Sequence, residues 1–322
     1  MKKFNLFVLL AVVLTIFSAC QKDDIQVERT ETQAKVYDAQ LMNIGFSVDN
    51  NCLVLKDEEE FQKLLDYLVQ KGDDSFPEFE KTVGFDSYRS YYEENPGRSE
   101  KLVDDLIATV ISPKAEIQIG NHLFKINFKE ERTEVYTLRD SSSNLKSSKI
   151  DNSSEPTLYK WTDDIFGLLN HDAMLKSYCT SDQDKKYDEA YFGGDDNGND
   201  FWFTAQAKLN YQNFGFVHTI ISKFKIISYL YSDGQRPIFI FKMNLSGYYD
   251  RRRESRRTVD EHIEGQVRDN DDGISWRPFY GTRRVESFSL TSKYSTEVFA
   301  YGLFPFVNGY TDDFAELNIG CN

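Results

Sequence analysis

The sequence predicts an α+β protein: N-terminal helices with a small antiparallel sheet, followed by a β-rich half built as a sandwich or an open barrel. Three observations predict this. Apolar residues recur at helical spacing between residues 55 and 111. The period changes to two after Pro113. Beyond Phe192 the chain becomes a series of aromatic and β-branched runs separated by Gly, Asn and Asp. A length of 322 residues suffices for one large domain or two ordinary ones.

Residues 1–19 read as a signal peptide. Met1-Lys2-Lys3 is a short basic start, Phe4 to Phe17 is almost wholly apolar, and Ser18 and Ala19 are small. A spanning helix needs about 20 apolar residues, so the run is short for a lasting anchor. Phe17-Ser18-Ala19-Cys20 resembles a bacterial lipobox, with Phe17 where that family prefers Leu. The resemblance implies cleavage before Cys20 and attachment of lipid to it. The next residues, Gln21-Lys22-Asp23-Asp24, resemble the export signal of surface lipoproteins of the Bacteroidetes type. That resemblance implies handling by lipoprotein processing and export machinery. It places the protein on the outer membrane, held by its lipid and facing the cell exterior. Residues 20–50 are expected to be a lipidated tether, polar and without a clear period from Ile25 to about Ala39.

Residues 51–139 are expected to form an α+β domain. Leu55–Asp74 is the clearest helix, with Phe61, Leu64, Leu65 and Leu68 on one face. Asp57 and Glu60 have the spacing of a capping box, and Lys71-Gly72 suits the end. Glu58–Glu60 sit at the positive end of the helix dipole, where carboxylates stabilise. In "SFPEFEKTVGF", Ser75 is placed as a cap, Pro77 in the first turn and Gly84 as a stop. Ser99–Ile111 is a further helix candidate. "EIQIGNHLFKINF" alternates around Gly120-Asn121 as a hairpin does, and Glu134–Leu138 adds a strand.

The Ser-rich stretch 140–156 is an interdomain linker or one long loop. Residues 157–322 are expected to be the β-rich domain, opening on a short helix between Trp161 and Leu169 with Asp163 near its start. The order of elements, with "LVLKDEEEFQKLLDYL", "FEKTVGFDSYRS" and "AEIQIGNHLFKIN", resembles an uncharacterised domain family of Bacteroidetes lipoproteins. That family carries no assigned activity, so the resemblance transfers no catalytic residue.

Composition narrows the function. A net charge of -14 argues against nucleic acid as a partner, because a phosphate backbone is bound by excess Lys and Arg. No phosphate-cradling Gly-rich loop, CxxC, HExxH or GxSxG is present. His122, His171, His218 and His262 are far apart, and each of His122 and His218 is expected to be a surface or hydrogen-bonded imidazole. Calcium is the one cofactor candidate: Asp195, Asn197 and Asn199 alternate as in an EF-type loop. The sixth position is then Asp200 rather than Gly, and the twelfth Gln206 rather than Glu, so a solvated turn is the simpler reading. With Cys20 lipidated, Cys52, Cys179 and Cys321 allow at most one bridge.

Two stretches are candidate ligand sites. Arg251, Arg252, Arg253, Arg256 and Arg257 form a positive cluster in an acidic chain, suited to acidic sugars or to pairing with acids of the chain itself. Trp276 and Tyr280 lie in "GISWRPFYG", where exposed aromatic rings would stack on sugars. The expected function is a non-catalytic binding or interaction module at the cell surface, with a glycan or another surface protein as partner. The alternatives are a hydrolase with an unrecognised site and a structural subunit of a surface assembly.

Overall fold

Two consecutive asparagines start the first sheet. The computed structural model describes residues 39–95, 104–138, 155–171, 179–192, 201–231, 238–251, 254–268, 272–299 and 312–321. The described residues divide between Ile44 and Gly45 into two units. In the first, Ile44 N donates to the Leu41 carbonyl at 3.1 Å; the architecture below belongs to the second. Strands β1 (Phe46–Asp49) and β2 (Cys52–Leu55) pair antiparallel through Asn50 and Asn51, whose φ values are 49° and 56°. Two positive φ angles make the tight hairpin turn that Asn tolerates. The sheet thus begins at Phe46, inside the stretch 20–50 read from sequence as tether.

Among the described residues, four α-helices follow β2: α1 (Glu58–Lys71), α2 (Phe76–Val83), α3 (Tyr88–Glu94) and α4 (Asp105–Val110). They return the chain to β3 (Glu116–Ile119), which runs parallel to β2. Helices are the usual crossover between parallel strands. The expected small antiparallel sheet is therefore a mixed one. The hairpin to β4 (His122–Asn127) turns at Gly120, φ 60°, and β5 (Arg132–Thr137) extends it. β6 (Thr157–Lys160), beyond the Ser-rich stretch, pairs with β5 and completes the order β1-β2-β3-β4-β5-β6. Most of residues 140–156 lie outside the described residues.

The α1 stripe packs as its spacing predicts: Phe61, Leu64, Leu65 and Leu68 are fully buried. Asp57 caps the helix, accepting from Glu60 N at 3.0 Å. The capping box is only half made, because the Glu60 carboxylate accepts from Gly45 N at 2.6 Å instead. Ser75 does not cap α2; its hydroxyl donates back to the Gly72 carbonyl at 2.7 Å, leaving Pro77 to start the helix. The helix expected from Ser99 is described from Asp105, where Asp104 has extended backbone and accepts from Leu106 N. Asp164 caps α5 (Ile165–Leu169), with Asp163 just before it.

The second half holds two antiparallel four-stranded sheets. One contains β7 (Asp182–Phe192), β8 (Phe201–Asn213), β9 (His218–Tyr231) and β12 (Gly273–Gly281), in the order β12-β9-β8-β7. The other contains β10 (Ile238–Arg251), β11 (Arg257–Val267), β13 (Val285–Phe299) and β14 (Asp312–Cys321), in the order β11-β10-β13-β14. The fold is thus α+β with a β-rich half, and among the described residues neither sheet closes into a barrel. Both sheets feed one apolar core, where Phe224 of β9 stacks on Phe241 of β10 at 4.0 Å. A disulfide joins Cys179, just before β7, to Cys321 at the end of β14. Cys52 is the free thiol among the described cysteines; burial first, then the Glu116 charge, pushes it up to about 12.

The two halves interlock. The turn between β8 and β9 carries Phe216, whose ring lies 6.3 Å from Phe61 of α1 and 4.8 Å from Phe124 of β4. Thr133 donates to the Phe214 carbonyl, and Ile165 N to the Gly215 carbonyl. Arg277 of β12 is buried between Asp104 at 2.6 Å and Asp73 at 2.5 Å. Burial opposes the charge of Asp104, but Arg277 outweighs it and holds the carboxyl below its usual range.

Candidate functional site

A groove of about 600 Å³ runs between the start of α1 and the ends of β10 and β12. The helix wall presents Asp57, Glu58, Glu59, Gln62 and Asp66, spaced so that one helix face looks across. The strand wall presents Arg251, Phe279, Tyr280, Thr282 and Arg283. Gln62 ties the walls together. Its carbonyl oxygen accepts from Thr282 N at 3.1 Å, and its amide nitrogen donates to Asp66 at 3.0 Å. The Tyr280 hydroxyl also bonds Asp66; burial, then that carboxylate, pushes the phenol up to about 12. Tyr280 therefore stays a protonated donor across the physiological range.

Gly281 makes this closure feasible. Its φ is 134°, and a Cβ there would lie 2.4 Å from the Gln62 oxygen. Only glycine lets the strand end approach the helix so closely.

The arginines of the strand wall are held by one acid. Arg251, Arg257 and Arg283 all pair with Glu254, Arg251 at 3.6 Å and Arg257 at 3.5 Å. Burial opposes the Glu254 charge, yet these partners, Arg283 foremost, keep its carboxyl low. The Arg251 guanidinium carbon lies 5.0 Å from the centre of the Phe279 ring and 5.5 Å from that of Tyr249. At such distances the ring faces attract the guanidinium charge.

The residues singled out by sequence separate accordingly. Arg251 and Tyr280 come together in the groove. Arg257 approaches only through Glu254. Arg256 stacks on Tyr248 at 3.8 Å and pairs with Asp250 through two bonds of 2.9 and 2.8 Å. That bidentate bond and the Ser287 hydroxyl hold Asp250 at about 2. Trp276 is exposed on β12 and does not line the groove. Arg252 and Arg253 lie outside the described residues, as do Cys20, Gln21, Lys22, Asp23 and Asp24 and the calcium candidates Asp195, Asn197 and Asn199. Among the described residues no cluster of three His, Cys, Asp or Glu side chains suits a metal, and no helix is long and apolar enough to cross a membrane.

His218 is hydrogen-bonded but not at the surface. It is fully buried, with Nδ1 3.3 Å from the Tyr211 hydroxyl. Burial, reinforced by the charge of Arg284, drives the imidazole down to about 3, so it is neutral at ordinary pH. It lies at the start of β9, opposite Gly281 in the ladder.

The sequence reading missed the helix wall. Glu58 and Glu59 were assigned only to the dipole, and Gln62 carries no motif. Thr282 and Gln62 are 220 residues apart, so no local pattern joins them.

No family model matches the chain, and no curated protein matches it. Among solved structures, it is similar to the crystal structure of a DUF4848 family protein from Bacteroides thetaiotaomicron, at 11% identity and a TM-score of 0.21, covering 85% of this chain and 100% of that one.

Proposed function

We propose that this protein is a lipid-anchored, non-catalytic binding module of the outer cell surface, and that the groove beside α1 takes a glycan. The observation that carries the reading is the convergence of Tyr280, Arg251, Gln62 and Asp66 on one groove of about 600 Å³. A polyhydroxylated ligand needs donors and acceptors in fixed places beside a flat apolar surface, and pockets of about this volume hold ligands of a few rings. The ladder Thr282–Gln62–Asp66–Tyr280 supplies the fixed groups. Phe279, with the Arg251 guanidinium carbon 5.0 Å from its ring centre, supplies the flat surface. The two four-stranded sheets, arranged as a sandwich, hold the strand wall rigid.

The lipid anchor and surface location rest on Cys20 and Lys22-Asp23-Asp24. The Cys179–Cys321 bridge supports an exported protein, since such bridges persist in oxidising compartments.

The test is a glycan array probed with the full chain in detergent, followed by titration of each hit. Tyr280→Ala and Arg251→Ala should each weaken binding at least about tenfold, the loss expected for one buried contact of ~1.4 kcal/mol. Hits whose affinity neither substitution changes would remove the groove from the binding site.

A further inference from the structure

We infer that the glycan taken by this groove is an acidic one, and that Arg283 and Arg257 hold its carboxylate or sulfate group at the edge of the strand wall. The inference rests on the proposed glycan reading and adds the chemical class of the ligand. It stands on how few acids the strand wall supplies to its own arginines.

Arg251, Arg257 and Arg283 gather round one carboxylate, that of Glu254. Among the described residues none of the three has a second acid as ion-pair partner, so guanidinium charge exceeds carboxylate charge there by two. Glu254 makes its closest contact with Arg283. Arg251 and Arg257 stand 3.6 and 3.5 Å from it, beyond the range of a good hydrogen bond. Arg251 is short of partners altogether. Its Nε is buried without a hydrogen-bond acceptor, and its Nη2 reaches only the Tyr249 hydroxyl, at 3.4 Å. Arg257 and Arg283 are 55% and 66% exposed, so water reaches both. Their neighbour Arg256 shows the contrast, because a bidentate bond to Asp250 neutralises it. Guanidiniums held together with too few acids repel one another, and an anion arriving among them relieves that repulsion.

The two walls suit opposite edges of one sugar. A guanidinium presents a planar fork of donors that matches the oxygens of an oxyanion. The carboxylates of the helix wall, Glu58 and Glu59 among them, accept hydrogen bonds and offer none, which suits sugar hydroxyls. An acidic sugar carries both kinds of group. Its acid turned to Arg283 and its hydroxyls turned to α1 give it one orientation in the groove. A neutral sugar fills the same space without the ion pair, and the reversed orientation sets acid against acid.

The test titrates the full chain in detergent with two matched pairs of tetrasaccharides, at low and high salt. One pair is the α-1,4-linked galacturonic acid tetramer and its methyl ester. The other is the chondroitin 4-sulfate tetramer and its unsulfated counterpart. In at least one pair the more acidic form should bind about tenfold tighter at low salt. That ratio should fall toward one at about 0.5 M salt, where screening shortens the reach of charge. The pair that shows the preference identifies the group as carboxylate or sulfate. Arg257→Gln with Arg283→Gln should remove the preference, and both side chains are exposed enough for the variant to fold. A preference unchanged in that variant would overturn the assignment to these arginines. The salt dependence of the unmodified chain tests the inference without any variant. No preference for the more acidic form in either pair would overturn the acidic inference and leave the glycan reading standing. Tetra-aspartate binding as tightly as the preferred tetramer would overturn it too, since charge alone would then suffice. Failure of all four tetramers and of every glycan on the array to bind would overturn the glycan reading itself.

Discussion

Removing the Cys179–Cys321 bridge should cost this fold several kcal/mol, and the structure says why. The two residues are 142 positions apart, with Cα atoms 5.7 Å apart. Cys321 ends β14, an edge strand of one sheet; Cys179 precedes β7, an edge strand of the other. No ladder of backbone bonds joins these two edges; beside the bridge, Gly320 N donates to Asp182 at 3.0 Å. In the chain-entropy account, a closed loop of that length lowers the entropy of the unfolded chain by roughly 17 cal/mol/K, or about 5 kcal/mol at 25 °C. Native bridges removed from real proteins give ~2–5 kcal/mol, so the expected loss lies toward the upper end of that range. The perturbation is Cys179→Ala with Cys321→Ala, which avoids placing a serine hydroxyl at the buried Cys179 position. Urea unfolding should show a midpoint lowered by about 1–2 M, given a slope of ~3 kcal/mol/M for a chain of this size. Reduction of the wild type should reproduce the shift. Equal midpoints for wild type and double mutant would refute the argument, as would recovery of residues 179 and 321 on separate alkylated peptides without reductant.

Two further predictions follow from buried charges. Arg277→Met should destabilise by about 3–5 kcal/mol, because Asp104 would remain buried without its partner; adding Asp104→Asn should recover a large part, measurable in a double-mutant cycle. The second concerns acid. His218 binds its proton near pH 6.5 when unfolded but only at about 3 when folded. Its contribution to stability is therefore complete above about pH 6.5 and is lost as pH falls from there toward about 3, at up to roughly 1.4 kcal/mol per pH unit. His218→Gln should flatten the stability profile between about pH 6 and 4; an unchanged slope would show that the imidazole is not buried as described.

Much of the local structure was legible in the sequence, and the reason is that its causes are local. The α1 stripe, the Asp57 cap, Gly72 and Gly84 as stops and the Gly120 hairpin each depend on residues within a few positions of one another. The β1–β2 hairpin was equally local, since "FSVDNNCLVL" alternates around Asn50-Asn51, and the paired asparagines were the overlooked signal. The aromatic and β-branched runs beyond Phe192 likewise announced the β-rich half. What the tertiary structure alone decided involves partners distant along the chain. The Ser-rich stretch looked like a boundary because it lacks apolar residues, but β6 beyond it pairs with β5 before it. That pairing depends on an open strand edge, which leaves no mark in composition. The arginine cluster was read as suited either to acidic sugars or to acids of the chain itself, and its described members Arg251, Arg256 and Arg257 have Asp250 and Glu254 against them. Whether a charge is free depends on what folds against it. The groove is the extreme case: its helix wall and its strand wall meet only because Phe216 and Arg277 lock the helices onto the β-rich half, and Gly281 lets Gln62 reach Thr282. No residue of that wall is unusual in its own stretch; the site exists through contacts made across about 200 residues of chain, where entropy rather than sequence pattern separates the partners until the fold closes.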